Sequence, residues 1–136
     1  MKALRWLIAG LIWGIFSNVI HGIVNGGIFK DWYVGYEHLY RSFDSTMMTK
    51  LILLSIVMGL VLSFLYLVIH RGIPGNTPAK KGFIFGVLLF LPQLVGLFFQ
   101  HTMSAGPFPL PCLISGIIAT PVGGVLIALI YGKRLN

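Results

Sequence analysis

Hydrophobic residues occur in four long runs along the chain, and shorter polar or Pro/Gly-rich stretches separate them. The runs cover residues 6–29, 48–69, 83–103 and 112–131. A helix needs about 20 apolar residues, at about 1.5 Å each, to cross a hydrocarbon core of about 30 Å. The runs lack the strict alternation of a membrane β-strand, and a helix pairs its own backbone groups in lipid. The pattern therefore predicts four transmembrane helices.

The stretches between the runs divide the helices without creating a second domain. Proline and glycine end helices, and they are concentrated in residues 71–78 and 106–111. The predicted fold class is an all-α polytopic integral membrane protein. It is a single domain, residues 1–136, with four helices in a compact bundle and an outer amphipathic interfacial segment at residues 30–47.

The composition supports this prediction and excludes other classes of protein. Hydrophobic residues make up 57% of the chain and charged residues 10%, whereas an average soluble domain has about 25% charged residues. Disorder requires low hydrophobicity. The single cysteine, Cys112, cannot form a disulfide framework within one chain.

Basic residues are distributed unevenly about the four runs, which predicts an orientation. With both termini on one side, that side has seven: Lys2, Arg5, Arg71, Lys80, Lys81, Lys133 and Arg134. The other side has three, with all three acids: Lys30, Arg41, Lys50, Asp31, Glu37 and Asp44. The positive-inside rule predicts a multi-pass protein of the cell (inner) membrane with both termini in the cytoplasm. Topology and anionic headgroups explain the positive charge, so no nucleic-acid partner is expected.

Aromatic residues recur at helical spacing in the polar stretch after the first run. They are Phe29, Trp32, Tyr33, Tyr36, Tyr40 and Phe43. The spacing predicts one face of an amphipathic helical segment on the outer membrane surface, with all but Phe29 as interfacial anchors. The alternative is a docking surface for a partner subunit, or a lid over a pocket.

Small and polar residues recur on one side of each predicted helix. Glycines four residues apart favour close helix contacts, because lipid supplies no hydrophobic force between helices. The pairs are Gly10 with Gly14, Gly22 with Gly26, and Gly82 with Gly86. Four larger polar residues are expected in the interior of the bundle: Asn18, Asn25, Gln93 and Gln100.

Two histidines are predicted at similar depth near the outer ends of two helices. His21 lies in the first run and His101 in the third. Paired axial histidines can hold a b-type haem, and a quinone or a metal ion could use the same side chains. The alternative is a structural role, in which His21 forms a hydrogen bond with Gln100 or Asn18 across helices. Bound lipid is expected in either case.

The sequence favours a non-catalytic protein. No Asp or Glu lies within a hydrophobic run, and Lys50, the one Lys or Arg in a run, is near its end. Carboxylates for acid–base catalysis, and charges deep in a span that would mark an ion route, are therefore missing. The main prediction is an accessory or structural subunit of a larger membrane complex, or a homo-oligomer. One alternative is an electron-transfer subunit that binds haem b or quinone through His21 and His101. The other is a small transporter or channel for a neutral or lipid-like solute.

Overall fold

Four long helices make up most of the described protein. The computed structural model describes residues 2–36, 44–103 and 107–132. Helix α1 (Lys2–His21) continues into a π-helix (Gly22–Ile28), and α2 (Ser45–Ile69), α3 (Pro78–Met103) and α4 (Leu110–Tyr131) follow. With the π-helix counted as part of the first span, each is long and apolar enough to cross a membrane. The predicted all-α bundle of four candidate spanning helices is confirmed.

Helices α2 and α3, like α1, begin several residues before the hydrophobic runs that predicted them. α2 begins at Ser45 because the Asp44 carboxylate accepts a hydrogen bond of 2.7 Å from the backbone N–H of Met47. α3 begins at Pro78, a residue type suited to the first turn of a helix. Hydropathy detects the apolar length of a span, whereas caps determine where its helix begins.

The helices pack in the order α2, α1, α4, α3, with α1 and α4 in the middle. α1 packs extensively on both α2 and α4, and α3 packs mainly on α4. Burial agrees with this order. Of the most apolar stretch of α4, 44% is buried inside the protein, against 17% of the corresponding stretches of α2 and α3. The two outer helices therefore leave most of their surface for lipid or partners.

Consecutive helices run antiparallel, and the start of α1 meets the end of α4. The Arg5 guanidinium donates from Nη1 to the carbonyl oxygen of Tyr131 at 2.9 Å. At the opposite end of the bundle, the Trp32 indole N–H donates to the carbonyl oxygen of Phe108 at 3.0 Å. We call the end with Arg5 and Tyr131 the terminal end, and the end with Trp32 and Phe108 the loop end.

Glycines allow α1 and α2 to approach closely. A Cβ atom added to Gly10 would lie 2.7 Å from the Cα of Leu60. A Cβ added to Gly14 would lie 2.9 Å from the carbonyl oxygen of Ser55. Because backbone atoms cannot yield as a flexible side chain can, only glycine fits at these two positions, as the sequence predicted for this pair.

Glycines also allow α3 and α4 to approach closely. A Cβ on Gly86 would lie 2.5 Å from the Cα of Pro121, and a Cβ on Gly82 would lie 2.8 Å from the Cα of Val125. The first half of α3 therefore rests directly on the backbone of α4. The close contact predicted for these two glycines is present.

Aromatic rings close the terminal end of the bundle. Tyr131 of α4 stacks on Tyr66 of α2 with centroids 5.8 Å apart, and Phe85 of α3 meets Tyr66 edge-on at 5.2 Å. The Tyr131 hydroxyl donates to the carbonyl oxygen of Ser63 at 3.1 Å. The rings are at most 2% exposed. This terminal aromatic cluster (Ser63, Tyr66, Phe85, Tyr131) ties α2, α3 and α4 together.

α2 and α3 meet at the terminal end and separate toward the loop end. Phe85 contacts Tyr66 of α2, whereas Gly96, eleven residues after Phe85, has no atom within 4 Å of a Cβ built on it. Eleven residues are about three helical turns at about 3.6 residues per turn, so Phe85 and Gly96 share a face of α3. The bundle is therefore more open beside the second half of α3.

The backbone widens into the π-helix after α1. The N–H of Phe29 donates to the carbonyl oxygen of Val24 at 2.9 Å, which is a bond between residues five apart. Glycine is a poor α-helix former, and Gly22, Gly26 and Gly27 all lie in this segment. A Cβ on any of the three would meet nothing within 4 Å. The close helix contact expected at Gly22 and Gly26 is therefore absent from the described structure.

Residues 29–36, the described part of the polar segment next to the π-helix, form successive turns where the aromatic spacing predicted an amphipathic helix. One turn is closed by the N–H of Tyr36, which donates to the carbonyl oxygen of Tyr33 at 3.0 Å. Gly35 has φ +88°, a left-handed value that glycine adopts readily and that interrupts a right-handed helix. The predicted anchors Tyr40 and Phe43 lie outside the described residues.

Candidate functional site

Gln93 places a carboxamide on an exposed surface near the middle of α3, a candidate membrane span. It lies ten residues from each end of the run 83–103 that predicted the span. Its Oε1 accepts a hydrogen bond of 3.3 Å from the Thr120 hydroxyl of α4, but within the described residues its Nε2 has no partner. Hydrocarbon has no water to satisfy an amide, so an uncovered N–H group is costly at this depth.

Gly96 and Gln100 continue the same face toward the loop end. The steps of three and four residues from Gln93 to Gly96 to Gln100 match the a and d positions of a helix–helix seam. Space beside Gly96 is open, and Gln100 is exposed and has no hydrogen bond to any described residue. We call Gln93, Gly96 and Gln100 the open stripe.

The open stripe is exposed, which differs from the interior position expected for Gln93 and Gln100. Gly82, Phe85 and Gly86 in the first half of α3 are buried, but no residue from 91 to 100 is buried. The close glycine contacts with α4 end at Gly86, and beyond that point little packs on α3. Apart from the contact of Gln93 with Thr120, the described helices therefore leave the second half of this polar face uncovered.

Asn18 and Asn25 are half-buried and hydrogen-bond mainly within their own helix. Asn18 donates from Nδ2 to the carbonyl oxygen of Gly14 at 2.9 Å, and Asn25 donates to that of His21 at 3.0 Å. Asn25 also accepts a hydrogen bond from the Cys112 thiol of α4, with Sγ and Oδ1 3.8 Å apart. The Nδ2 groups of both amides are thus paired, unlike the Nε2 groups of the open stripe.

His21 forms its hydrogen bond within α1 and not with Gln100 or Asn18, the partners expected for a structural role. Its Nδ1 lies 2.8 Å from the carbonyl oxygen of Ser17. Because a carbonyl only accepts, Nδ1 donates in this contact, and in the neutral ring Nε2 then has the lone pair. That tautomer suits either a structural histidine or a metal ligand whose orientation is fixed by a carbonyl.

His101 lies on α3, and α4 packs between that helix and α1. The described contacts do not join its imidazole to that of His21. The His101 ring meets Phe108 edge-on with centroids 5.2 Å apart, and its buried Nδ1 has no hydrogen-bond partner in the described structure. The residues described also contain no group of three or more His, Cys, Asp or Glu side chains placed to hold a metal ion.

Two of the predicted outer anchors contact the segment that leads into α4. The Trp32 indole donates to the Phe108 carbonyl oxygen, and a side-chain hydrogen bond joins Tyr33 to Cys112. Tyr36 is 39% exposed. The loop after α1 therefore covers the start of α4, where the polar groups of Asn25 and Cys112 also meet.

The terminal aromatic cluster was not predicted from the sequence. Its one available signal is that Tyr66 and Tyr131 both lie within a few residues of the basic ends of their helices, which places them at one depth. No family model, curated protein or solved structure matches the chain.

Proposed function

We propose that the protein is a non-catalytic integral membrane subunit that acts by assembly, as part of a larger membrane complex or as a homo-oligomer. The observation that carries the proposal is the Nε2 group of Gln93, which has no partner among the described residues and lies on an exposed helix face near the middle of a candidate membrane span. Helix association in lipid depends on close packing and on hydrogen bonds between helices. The open stripe offers both, through Gly96 and through two carboxamides.

The order of the helices supports assembly through the open stripe of α3. The most buried helix, α4, is central, whereas only 17% of the most apolar stretch of each outer helix, α2 and α3, is buried. α2 presents mainly aliphatic side chains to the exterior, such as Leu53, Leu54 and Val57, which lipid tails can solvate. The second half of α3 presents amides, which lipid tails cannot solvate.

The same proposal includes an orientation, with both ends of the chain in the cytoplasm of a cell (inner) membrane. The contact of Arg5 with Tyr131 brings the ends of α1 and α4 together, as an even number of spans requires. Basic residues are concentrated at that end in the sequence. The positive-inside rule supports a cytoplasmic position for it, and anionic headgroups favour the same placement.

We expect Gln93→Leu to release the protein from its native assembly. The substitution keeps the size of the side chain and removes the amide. Loss of one interhelical hydrogen bond of about 1–2 kcal/mol weakens association about tenfold. The measurement is the mass of the complex extracted in a mild detergent, with Leu91→Val on the opposite face of α3 as control. Equal masses for wild type, Gln93→Leu and Leu91→Val, all at the size of one chain, would contradict the proposal.

A second candidate function is haem b or quinone binding through His21 and His101. It is favoured by the partnerless Nδ1 of His101 and by the free Nε2 lone pair of His21. An absorption spectrum of the purified protein separates the candidates. A Soret band that His21→Ala abolishes would support haem binding, and a colourless preparation without extractable quinone would remove this candidate.

A further inference from the structure

We propose that the partner at the open stripe is a second copy of this chain, and that Gln93 of one copy pairs with Gln93 of the other. This inference rests on the proposed assembly function and names its partner. A carboxamide both donates and accepts hydrogen bonds. Two identical carboxamides that meet across a two-fold axis can therefore each donate Nε2–H to the Oε1 of the other.

Thr120 leaves this pairing possible. The Thr120 hydroxyl occupies one lone pair of the Gln93 oxygen, and a carbonyl oxygen has a second lone pair. In the dimer, each Gln93 oxygen accepts from its own Thr120 and from the Gln93 of the other copy. The donor group that has no partner in one chain then has an acceptor at the same site.

Membrane topology places the two partners in register. Two copies inserted in the same direction carry Gln93 at the same depth, and rotation about an axis along the membrane normal brings identical faces together. The two α3 helices are then parallel, and a polar residue at an a position fixes the register of such a pair. An unrelated helix would match the depth of Gln93 and of Gln100 only if its own polar residues had the same spacing.

Gly96 supplies the space for this contact. It lies between Gln93 and Gln100 on the stripe, and nothing occupies the volume where its Cβ would be. A second helix can approach the backbone of α3 closely at Gly96. This brings the side chains of Gln93 and Gln100 nearer to those of the second helix. The glycine permits the approach, and the amides determine which partner fits.

The dimer is tested with the purified full chain in phosphatidylcholine/phosphatidylglycerol vesicles. In a Cys112→Ser background, which removes the one natural cysteine, we expect Gly96→Cys to form a disulfide-linked dimer on mild oxidation. Leu91→Cys is the matched control, because it lies five residues earlier on the opposite side of α3. Adding Gln93→Leu to the Gly96→Cys chain should lower the dimer association constant about tenfold. Because the substitution also removes the hydrogen bond from Thr120, the monomer should unfold at a slightly lower temperature but keep its helical circular dichroism spectrum.

The outcomes separate this inference from the proposed function. A protein that is monomeric in vesicles but part of a larger complex in native membranes would overturn the pairing with a second copy. The proposed assembly function would then still hold. Monomers in both settings, with or without co-purified lipid or quinone at the stripe, would overturn both. Equal cross-linking at positions 91 and 96, or a dimer unaffected by Gln93→Leu, would overturn the assignment of the open stripe as the contact.

Discussion

Replacing Gly86 with alanine should lower the free energy of unfolding of the monomer by about 1–3 kcal/mol, the usual cost of overpacking a close contact. The added methyl group would lie 2.5 Å from the Cα of Pro121 and 2.9 Å from the carbonyl carbon of Thr120. Both atoms belong to the backbone of α4, so the helices must move apart. The measurement is a denaturant titration in detergent micelles, at a protein concentration where wild type is monomeric.

Gly96→Ala on the same helix is the control for Gly86→Ala. No atom lies within 4 Å of the new methyl group. Alanine is the better helix former by about 0.5–1 kcal/mol, so monomer stability should stay equal or rise slightly. If Gly86→Ala and Gly96→Ala destabilise the monomer equally, α3 does not pack on α4 through its first half as described.

Truncating Tyr131 to alanine should destabilise the monomer by about 3–5 kcal/mol, the range for deleting a buried aromatic side chain. The ring is 1% exposed and stacks on Tyr66. Its removal leaves a cavity among three helices and takes away the hydroxyl that bonds to Ser63. The measurement is the same denaturant titration.

Tyr131→Phe separates the ring from its hydroxyl. It keeps the stacking on Tyr66 and loses the hydrogen bonds to Ser63. The expected loss is about 1 kcal/mol, the net value of a typical hydrogen bond. A loss for Tyr131→Phe as large as that for Tyr131→Ala would show that the hydroxyl, and not ring packing, closes the terminal end.

Hydropathy was sufficient to predict the four helices, because a span must be apolar over its whole length. It could not locate the start of α2, which depends on the Asp44 cap. Glycine spacing likewise predicted the close contacts at Gly10 and Gly86. It failed at Gly22, because the backbone there is a π-helix and the usual four-residue periodicity does not apply.

The position of Gln93 could not be predicted in the same way. Periodicity shows which residues share a face of a helix, but not which neighbour that face meets. α3 packs mainly on one helix, α4, so its polar face is left exposed, whereas the face of α1 that carries Trp13 is covered. The contacts of Tyr131 with Ser63 could not be predicted either, because the two residues lie 68 positions apart in the sequence.

The central claim is that a protein helix covers the open stripe in the membrane. The most direct measurement is photo-crosslinking in native membranes, with a small diazirine side chain at position 96 and, as control, at position 91. We predict a peptide adduct at position 96, identified by mass spectrometry as α3 of a second copy, and mainly lipid adducts at position 91. Lipid adducts alone at both positions would contradict the claim.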